Sequence, residues 1–432
     1  MHTPNFTNCL RRAGSVAGLT LLVGALASAA WQSLQWGDAD HKKMGKALAK
    51  LSAEKTSDKD IEKARAEILG DLEKLGRKAG AKTDEAAVEL ALAAHSDIGK
   101  ALAYSKEFSR TLKPGKVEAR KSQFRETTTD YALSLPATYK PTNPPIPLIL
   151  CVPGLKDGKA TDPQRFLQEQ LQDTAVREGA AIVAVAMPGG TANWVELGSD
   201  TSPGGLFALM SVYRDVTKAA AIDPDKIFVL GREQGAAAAM ALGSRFPHLF
   251  AGVAVMAGDI EPLSSANFCN LSTMLHGGAN SSTFEAQIKE AGYNNCTIKA
   301  DATVADLWTW MAQTARATNP AKVVIEPGAA RISNAYWLKF PAVDGLQGKV
   351  SANADRSSNT IKIDCPADVA SITVSLNDAL ADLSKPITFV INGREQTHKV
   401  VRNLVDTLDF IQRGASDGTR VYVTKILLDV PR

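Results

Sequence analysis

The chain of 432 residues is short of the side chains that most catalytic and metal sites require. It has only six histidines and five cysteines, and no two cysteines stand in a C-x-x-C spacing. That spacing is typical of zinc and redox sites, so we expect neither a metal nor any other cofactor. The formal net charge is only +3, which does not favour nucleic acid as a partner. Length and composition indicate a globular protein of two or three domains.

The N-terminus has the pattern of an export signal. Arg11 and Arg12 give it a positive start, residues 19–26 are moderately apolar, and a small-x-small cleavage site ends at Ala29. We therefore predict that residues 1–30 are a signal peptide and that the mature protein is periplasmic or extracellular, with no stable membrane insertion. The alternative is an uncleaved anchor, because the apolar segment is nearly long enough to span a membrane.

Export would permit disulfide bonds, since exported proteins mature in an oxidising compartment. Cys9 falls in the predicted signal peptide. Cys269 and Cys296 precede or begin two consecutive predicted strands and are therefore the most plausible pair. Free buried thiols are an equally acceptable interpretation of the same two positions.

Hydrophobic periodicity divides the rest of the chain into three regions. Residues 31–112 are charged and alanine-rich with apolar positions at helical spacing, which predicts a helical segment. In residues 113–325, buried strands alternate with helices, which predicts a parallel sheet with right-handed crossovers. Residues 326–432 contain short strands and the hairpin signal Asn392-Gly393, which predicts a small β-sandwich-like domain.

The stretch 227–240 decides how the central region is interpreted. Residues 227–230 are an apolar strand, Gly231 and Gly235 bracket a sharp turn, and a run of alanines begins a helix. Strand, Gly-x-x-x-Gly and helix are the frame of the nucleophile elbow, where small residues let the strand and the helix cross closely. The central position, which is serine in a serine hydrolase, is Glu233.

With this frame, the chain resembles exported α/β-hydrolases of the esterase and peptidase type, including the polyhydroxybutyrate-depolymerase-like esterases. The stretches that carry the resemblance are 135–139, 147–150, 222–231 and 246–253. It implies an α/β-hydrolase-type parallel sheet flanked by helices over about residues 130–320. It also implies a serine nucleophile, a histidine base, an acid that orients the histidine, and an oxyanion loop. Trp194 lies where loops of the family contact substrate, which implies a binding role at the surface.

The chain departs from the family at each catalytic position. Glu233 replaces the nucleophile, and Asn280 stands where the acid is expected. The catalytic histidine should precede a tryptophan-containing helix, but residues 299–308 contain none, and none occurs between 277 and 397. The residues at the positions of the oxyanion loop and the elbow are Pro153, Gly154, Gly231, Arg232, Gln234 and Gly235.

Two functions are compatible with these departures. The first is a pseudo-esterase that keeps the fold and acts as a binding or scaffold protein for an unknown ligand or protein partner. The alternative is an active hydrolase of ester or peptide bonds whose rewired site uses Glu233 as nucleophile or base. Haloalkane dehalogenases and epoxide hydrolases place a carboxylate at the elbow, but theirs is aspartate and a histidine activates the water. The sequence favours loss of catalysis, because no histidine is placed to assist Glu233.

Overall fold

A computed structural model describes most of the chain beyond the N-terminus. The described residues are 36–52, 57–124, 126–156, 159–188, 193–199, 202–260, 264–278, 280–328, 330–413 and 417–431. The predicted signal peptide and Cys9 lie outside them. Of the helices in these ranges, none combines the length and the apolar character that a membrane crossing requires.

The N-terminal unit is helical, as its periodicity predicts. It consists of α1 (Asp38–Ser52), α2 (Asp58–Lys78), α3 (Asp84–Ala93) and α4 (His95–Ala103). The Ser57 hydroxyl accepts a hydrogen bond from the Asp60 N–H at 3.2 Å, and Thr83 caps α3 in the same way. These caps satisfy backbone donors that the first helical turn leaves without partners. The apolar faces of the helices form one buried core, to which the distant Leu408 and Ile411 also belong.

The central unit is built on an eight-stranded sheet with the order β1-β2-β6-β3-β7-β8-β9-β10. Its strands are β1 (Val117–Phe124), β2 (Thr127–Ser134), β3 (Ile146–Val152), β6 (Ala181–Val185), β7 (Ile222–Arg232), β8 (Gly252–Met256), β9 (Ser272–Leu275) and β10 (Cys296–Ile298), while β4 (Leu155–Lys156) and β5 (Lys159–Ala160) form a separate ribbon. Strand β2 is antiparallel to both of its neighbours, and the pairs from β6 to β10 are parallel. This order confirms the predicted α/β-hydrolase-type sheet.

Helices cover both faces of this sheet. They are α5 (Pro163–Gln170), α6 (Thr174–Gly179), α7 (Gly205–Ala219), α8 (Gly235–Arg245), α9 (Ser281–Glu290) and α10 (Val304–Gln313). Along β3, Leu148 and Leu150 belong to the core on one face and Ile149 and Cys151 to the core on the other. A strand buried on both faces reads as a continuous apolar run, which explains the unbroken hydrophobicity of these segments.

The C-terminal unit contains two packed sheets. They are formed by β11 (Lys322–Ile325), β12 (Asn334–Ala335), β13 (Leu338–Lys339), β14 (Val350–Asp355), β15 (Thr360–Asp364), β16 (Ser371–Leu376), β17 (Ile387–Ile391), β18 (Arg394–His398), α11 (Leu404–Arg413) and β19 (Thr424–Asp429). One sheet has the order β11-β14-β15-β17-β18 and the other β12-β13-β16-β19. Asn392 and Gly393, with φ of 48° and 81°, form the predicted hairpin turn between β17 and β18.

One predicted boundary needs correction. The division at residue 325 assigned β11 to the central unit, but β11 pairs with β14, and its side chains Val323 and Ile325 lie in the C-terminal core. The boundary therefore falls before Lys322. The strand is only four residues long, and periodicity cannot show which sheet such a short strand joins.

A buried ion cluster connects the units, and we call it the Arg316 junction. The guanidinium of Arg316 donates to both carboxylate oxygens of Asp417, at 2.7 and 2.9 Å, and to Asp225 at 2.9 Å. Asp225 lies in β7 and Asp417 lies between α11 and β19, so the cluster ties the central sheet to the C-terminal unit. A second pair, Arg402 with Glu89 of α3 at 3.3 Å, joins the N-terminal helices to the same unit.

Candidate functional site

The turn from β7 into α8 has the geometry of a nucleophile elbow. Glu233 adopts a left-handed backbone with φ of 50°, and its N–H donates to the carbonyl of Ala257 at the end of β8. Such a backbone is strained for a residue with a side chain and occurs mainly at functional sites. Glu233 is exposed at the carboxyl end of the strand, in the position from which an elbow presents its nucleophile.

Small residues around the turn are required by contact distances. A Cβ at Gly231 would lie 2.7 Å from the Cα of Ala236, and one at Gly235 would lie 2.2 Å from the carbonyl oxygen of Val152. Both distances are shorter than any side-chain carbon tolerates. The Gly-x-x-x-Gly spacing is therefore explained by the close crossing of β7, α8 and β3.

The loop after β3 lies directly against the elbow. Pro153 and Gly154 are buried, and a Cβ at Gly154 would lie 2.6 Å from Oε2 of Glu233 and 3.1 Å from Oε1 of Gln234. The next backbone N–H, that of Leu155, donates to Oε1 of Gln234 at 3.0 Å. Loops in this position supply an oxyanion donor in α/β-hydrolases. Here a side chain of the protein itself holds that donor.

Arg232, the last residue of β7, is half-buried beside the elbow. Asn280 follows β9, where the catalytic acid would be expected, and it is exposed with φ of 67°. Its side-chain amide donates to the carbonyl of Ile260 at 3.1 Å. This bond ties the start of α9 to the loop after β8.

The segment after β10, where the histidine would be expected, forms a helix cap. Thr303 and Asp306 form a reciprocal capping box at the start of α10. Lys299 donates to Asp306 at 2.6 Å, and hydrogen bonds from Lys299 and Thr303 hold the pKa of the Asp306 carboxyl well below its usual range. Both charged groups are thereby committed to the cap.

Three histidines lie in the described central and C-terminal ranges: His248, His276 and His398. His248 belongs to the Arg316 junction, where its backbone carbonyl accepts from Arg316 at 3.2 Å. His398 contacts Gln396 within β18 at 3.0 Å. His276 directly follows β9, and its Nδ1 is buried with no partner among the described residues. Within those residues we find no hydrogen bond between a histidine and Glu233.

Two features of the site escaped the sequence analysis. Asp259 follows β8 and lies at the same edge, since a Cβ at Gly278 would be 2.9 Å from its Oδ1. A local signal exists, because the Gly258-Asp259 pair comes one residue after a buried strand. The contact of Gln234 with Leu155 had no local signal, since the two residues are 79 positions apart.

Two other sequence interpretations change in the structure. Trp194 has no surface role, because its side chain is 1% exposed and its indole N–H donates to the carbonyl of Pro188 at 2.9 Å. Its ring belongs to the core of the central unit.

Cys269 and Cys296 are both free and buried, which agrees with the second of the two interpretations, and burial raises the pKa of each thiol.

A cleft of about 680 Å³ lies away from the elbow, between the central and C-terminal units. Tyr293, Lys322, Glu326 and Lys349 are among its lining residues, and no residue of the elbow lines it.

Over the described ranges, no group of three or more His, Cys, Asp or Glu side chains is arranged to hold a metal ion.

Neither a protein-family model nor a curated protein sequence matches the chain. One similar solved structure is a thermostable esterase, with 16% sequence identity and a TM-score of 0.38 over 48% of this chain and 64% of the esterase. Another is a putative dipeptidyl aminopeptidase IV from Bacteroides ovatus, with 12% identity and a TM-score of 0.34 over 48% of this chain and 36% of the other. An S-formylglutathione hydrolase from Staphylococcus aureus is also similar, with 10% identity and a TM-score of 0.34 over 45% of this chain and 98% of the hydrolase. These similarities concern the fold alone. The chain spans less than two thirds of the first two structures.

Proposed function

We propose that this protein is an exported, esterase-like α/β-hydrolase homologue that does not perform acyl transfer and acts instead as a binding or scaffold protein. The supporting observation is the elbow itself. Glu233 occupies the strained nucleophile position, and the neighbouring oxyanion donor of Leu155 is held by Gln234.

Acyl transfer needs a nucleophile that can be regenerated, a base that takes its proton, and donors for the developing oxyanion. Attack by Glu233 on an ester would give an anhydride, and its hydrolysis needs a base that activates water. Asn280 is a neutral amide already bonded to Ile260, and the segment after β10 is committed to a helix cap. Neither position offers a base or an acid that could orient one.

The test is turnover of a panel of short-chain esters by the purified wild type, Glu233→Gln and Glu233→Ser. We expect no turnover above background from any of the three, and no labelling of the wild type by a serine-directed fluorophosphonate. Glu233→Ser should stay inactive because triad members act as one unit, so that a single restored member recovers little.

An active serine esterase assayed in parallel checks the substrates, and Glu85→Gln, a change of an exposed glutamate in α3, is the matched control variant. Robust wild-type turnover that Glu233→Gln abolishes and Glu85→Gln preserves would overturn the proposal. It would establish catalysis by the Glu233 carboxylate instead.

The export element of the proposal is supported by the sequence of residues 1–30. Intact-mass measurement of the protein isolated from its native cells should give an N-terminus near Ala30. An intact Met1 on a cytoplasmic protein would contradict export and leave the proposal about the elbow unaffected.

A further inference from the structure

We propose that the elbow recognises an amide group of its ligand, and that the side chain of Gln234 is an internal occupant of the same site. This inference rests on the proposed function, since it assigns a ligand class to the binding site that replaces the catalytic one. It depends on the contacts of three neighbouring groups: the Leu155 N–H, the Gln234 carboxamide and the Glu233 carboxylate.

The first half of an amide-binding site is a donor for the carbonyl oxygen. The Leu155 N–H already donates to an amide oxygen, Oε1 of Gln234, at 3.0 Å. Gln234 is exposed, so its side chain can leave this contact for water without opening the core. A ligand amide could then replace it, exchanging one hydrogen bond for another of the same kind.

The second half is an acceptor for the amide N–H. Oε2 of Glu233 and Oε1 of Gln234 lie 2.6 and 3.1 Å from one point, the Cβ position that Gly154 leaves empty. A carboxylate oxygen thus lies close to the oxygen that the Leu155 donor binds. The strained backbone of Glu233 and its N–H bond to Ala257 fix the start of that side chain.

A donor beside a carboxylate selects among carbonyl compounds. A primary amide presents a C=O and an N–H on the same edge and satisfies both groups, whereas a secondary amide in its usual trans form points them in opposite directions. An ester presents only the acceptor and leaves the carboxylate without a donor. A carboxylate ligand would meet the negative charge of Glu233 at short range, which is unfavourable. The site therefore suits neutral primary carboxamides, the group that Gln234 itself carries.

The experiment uses the full chain and two matched probes, acetamide and methyl acetate, which share an acetyl carbonyl and differ in an amide NH₂ against a methoxy group. Binding is followed by NMR on protein labelled with ¹⁵N-leucine, with the Leu155 signal assigned by its loss in Leu155→Ile. We expect Gln234→Ala to shift that signal and to tighten acetamide binding by about two- to tenfold, the range of one neutral hydrogen bond.

Methyl acetate should bind more weakly than the amide to Gln234→Ala, and adding Glu233→Ala should remove the preference. Gln234→Met, which keeps the side-chain volume without a strong acceptor, should behave like Gln234→Ala. Gln287→Ala changes an exposed glutamine of α9 and should leave binding unchanged. Equal binding of the two probes, or a Leu155 signal that acetamide does not move in either Gln234 variant, would overturn the inference.

The two proposals fail in different ways. Catalytic turnover of methyl acetate would contradict the proposed loss of catalysis, whatever the affinity for the amide. Absence of turnover together with absence of amide selectivity would overturn the ligand assignment alone.

Discussion

The charged groups of the elbow and of the Arg316 junction differ in burial and in pairing. At the elbow, Glu233 is exposed on a strained backbone, and its carboxylate accepts no hydrogen bond from another side chain in the described ranges. At the junction, the Arg316 side chain is 1% exposed and is bonded to two carboxylates. The elbow thus has an exposed carboxylate on a strained turn, whereas the junction has a buried cation held by two carboxylates.

Burial explains why the junction must be so fully paired. A charge taken out of water is tolerated only when opposite charges and hydrogen bonds replace its hydration. Burial acts to raise the pKa of Asp417, but Arg316 outweighs it and lowers that pKa to about 2. The ion pairs of Arg316 therefore replace lost hydration and at the same time connect the central sheet to the C-terminal unit.

Removal of the central cation should give the largest effect. We expect Arg316→Met to lower the free energy of unfolding by about 3–5 kcal/mol, because Asp417 and Asp225 would be left without their partner. Urea denaturation measures the change. Arg165→Met is the matched control, since Arg165 forms an exposed pair with Glu169 at 2.6 Å, and we expect it to change stability by about 1 kcal/mol at most. Equal effects of the two variants would show that burial does not distinguish the junction.

A glycine beside the elbow should give an intermediate effect. Gly258 has φ of 123°, and a Cβ there would lie 2.4 Å from the carbonyl oxygen of Glu233. We expect Gly258→Ala to destabilise the protein by about 2–3 kcal/mol, because the backbone conformation excludes a side chain and the contact forces the turn apart. Gly70→Ala is the opposite control. Nothing lies within 4 Å of its Cβ position in α2, so thermal unfolding should show a gain of up to about 1 kcal/mol.

The smallest effect concerns pH and the histidine of the junction. Burial first, and then the cations of Arg420 and Arg316, hold the pKa of His248 well below its ordinary 6.5, although Asp417 opposes them. Below pH 6.5, His248 therefore binds a proton in the unfolded chain but stays neutral in the folded protein until the pH is much lower. The contribution of His248 to stability is complete above that pH and is lost as the pH falls.

We expect a loss of about 1 kcal/mol for the first pH unit below 6.5, measured by urea denaturation at a series of pH values. His248→Gln should show a correspondingly flatter profile, and the difference between the two profiles isolates this group from the carboxylates around it. Parallel profiles would mean that His248 accepts its proton freely in the folded state.

The sequence allowed the elbow to be predicted because its determinants are local. Gly231, Gly235 and the alanines that follow are contiguous, and the absence of a histidine from one segment can be seen without a structure. Contacts between distant residues were not predictable in this way. The bond from Leu155 to Gln234 depends on the sheet order, which brings the ends of β3 and β7 together.

The errors at Trp194 and β11 have a related cause. A loop tryptophan was assigned to the surface from the behaviour of related loops, but its ring enters the central core. The strand Lys322–Ile325 was assigned to the central unit by its place in the chain. Its partner β14 begins 25 residues later along the sequence, after β12 and β13. In both cases tertiary packing decided what local pattern could not.

The shared core of the N-terminal helices and α11 has a consequence for the order of folding. Leu408, Ile411 and Val421 complete the apolar core of helices that are synthesised more than three hundred residues earlier. Those helices cannot complete this core until Val421 has left the ribosome. Contacts of such long sequence separation form late and slow the final step. The core of the N-terminal helices is thus completed only after residues 408–421 have been synthesised.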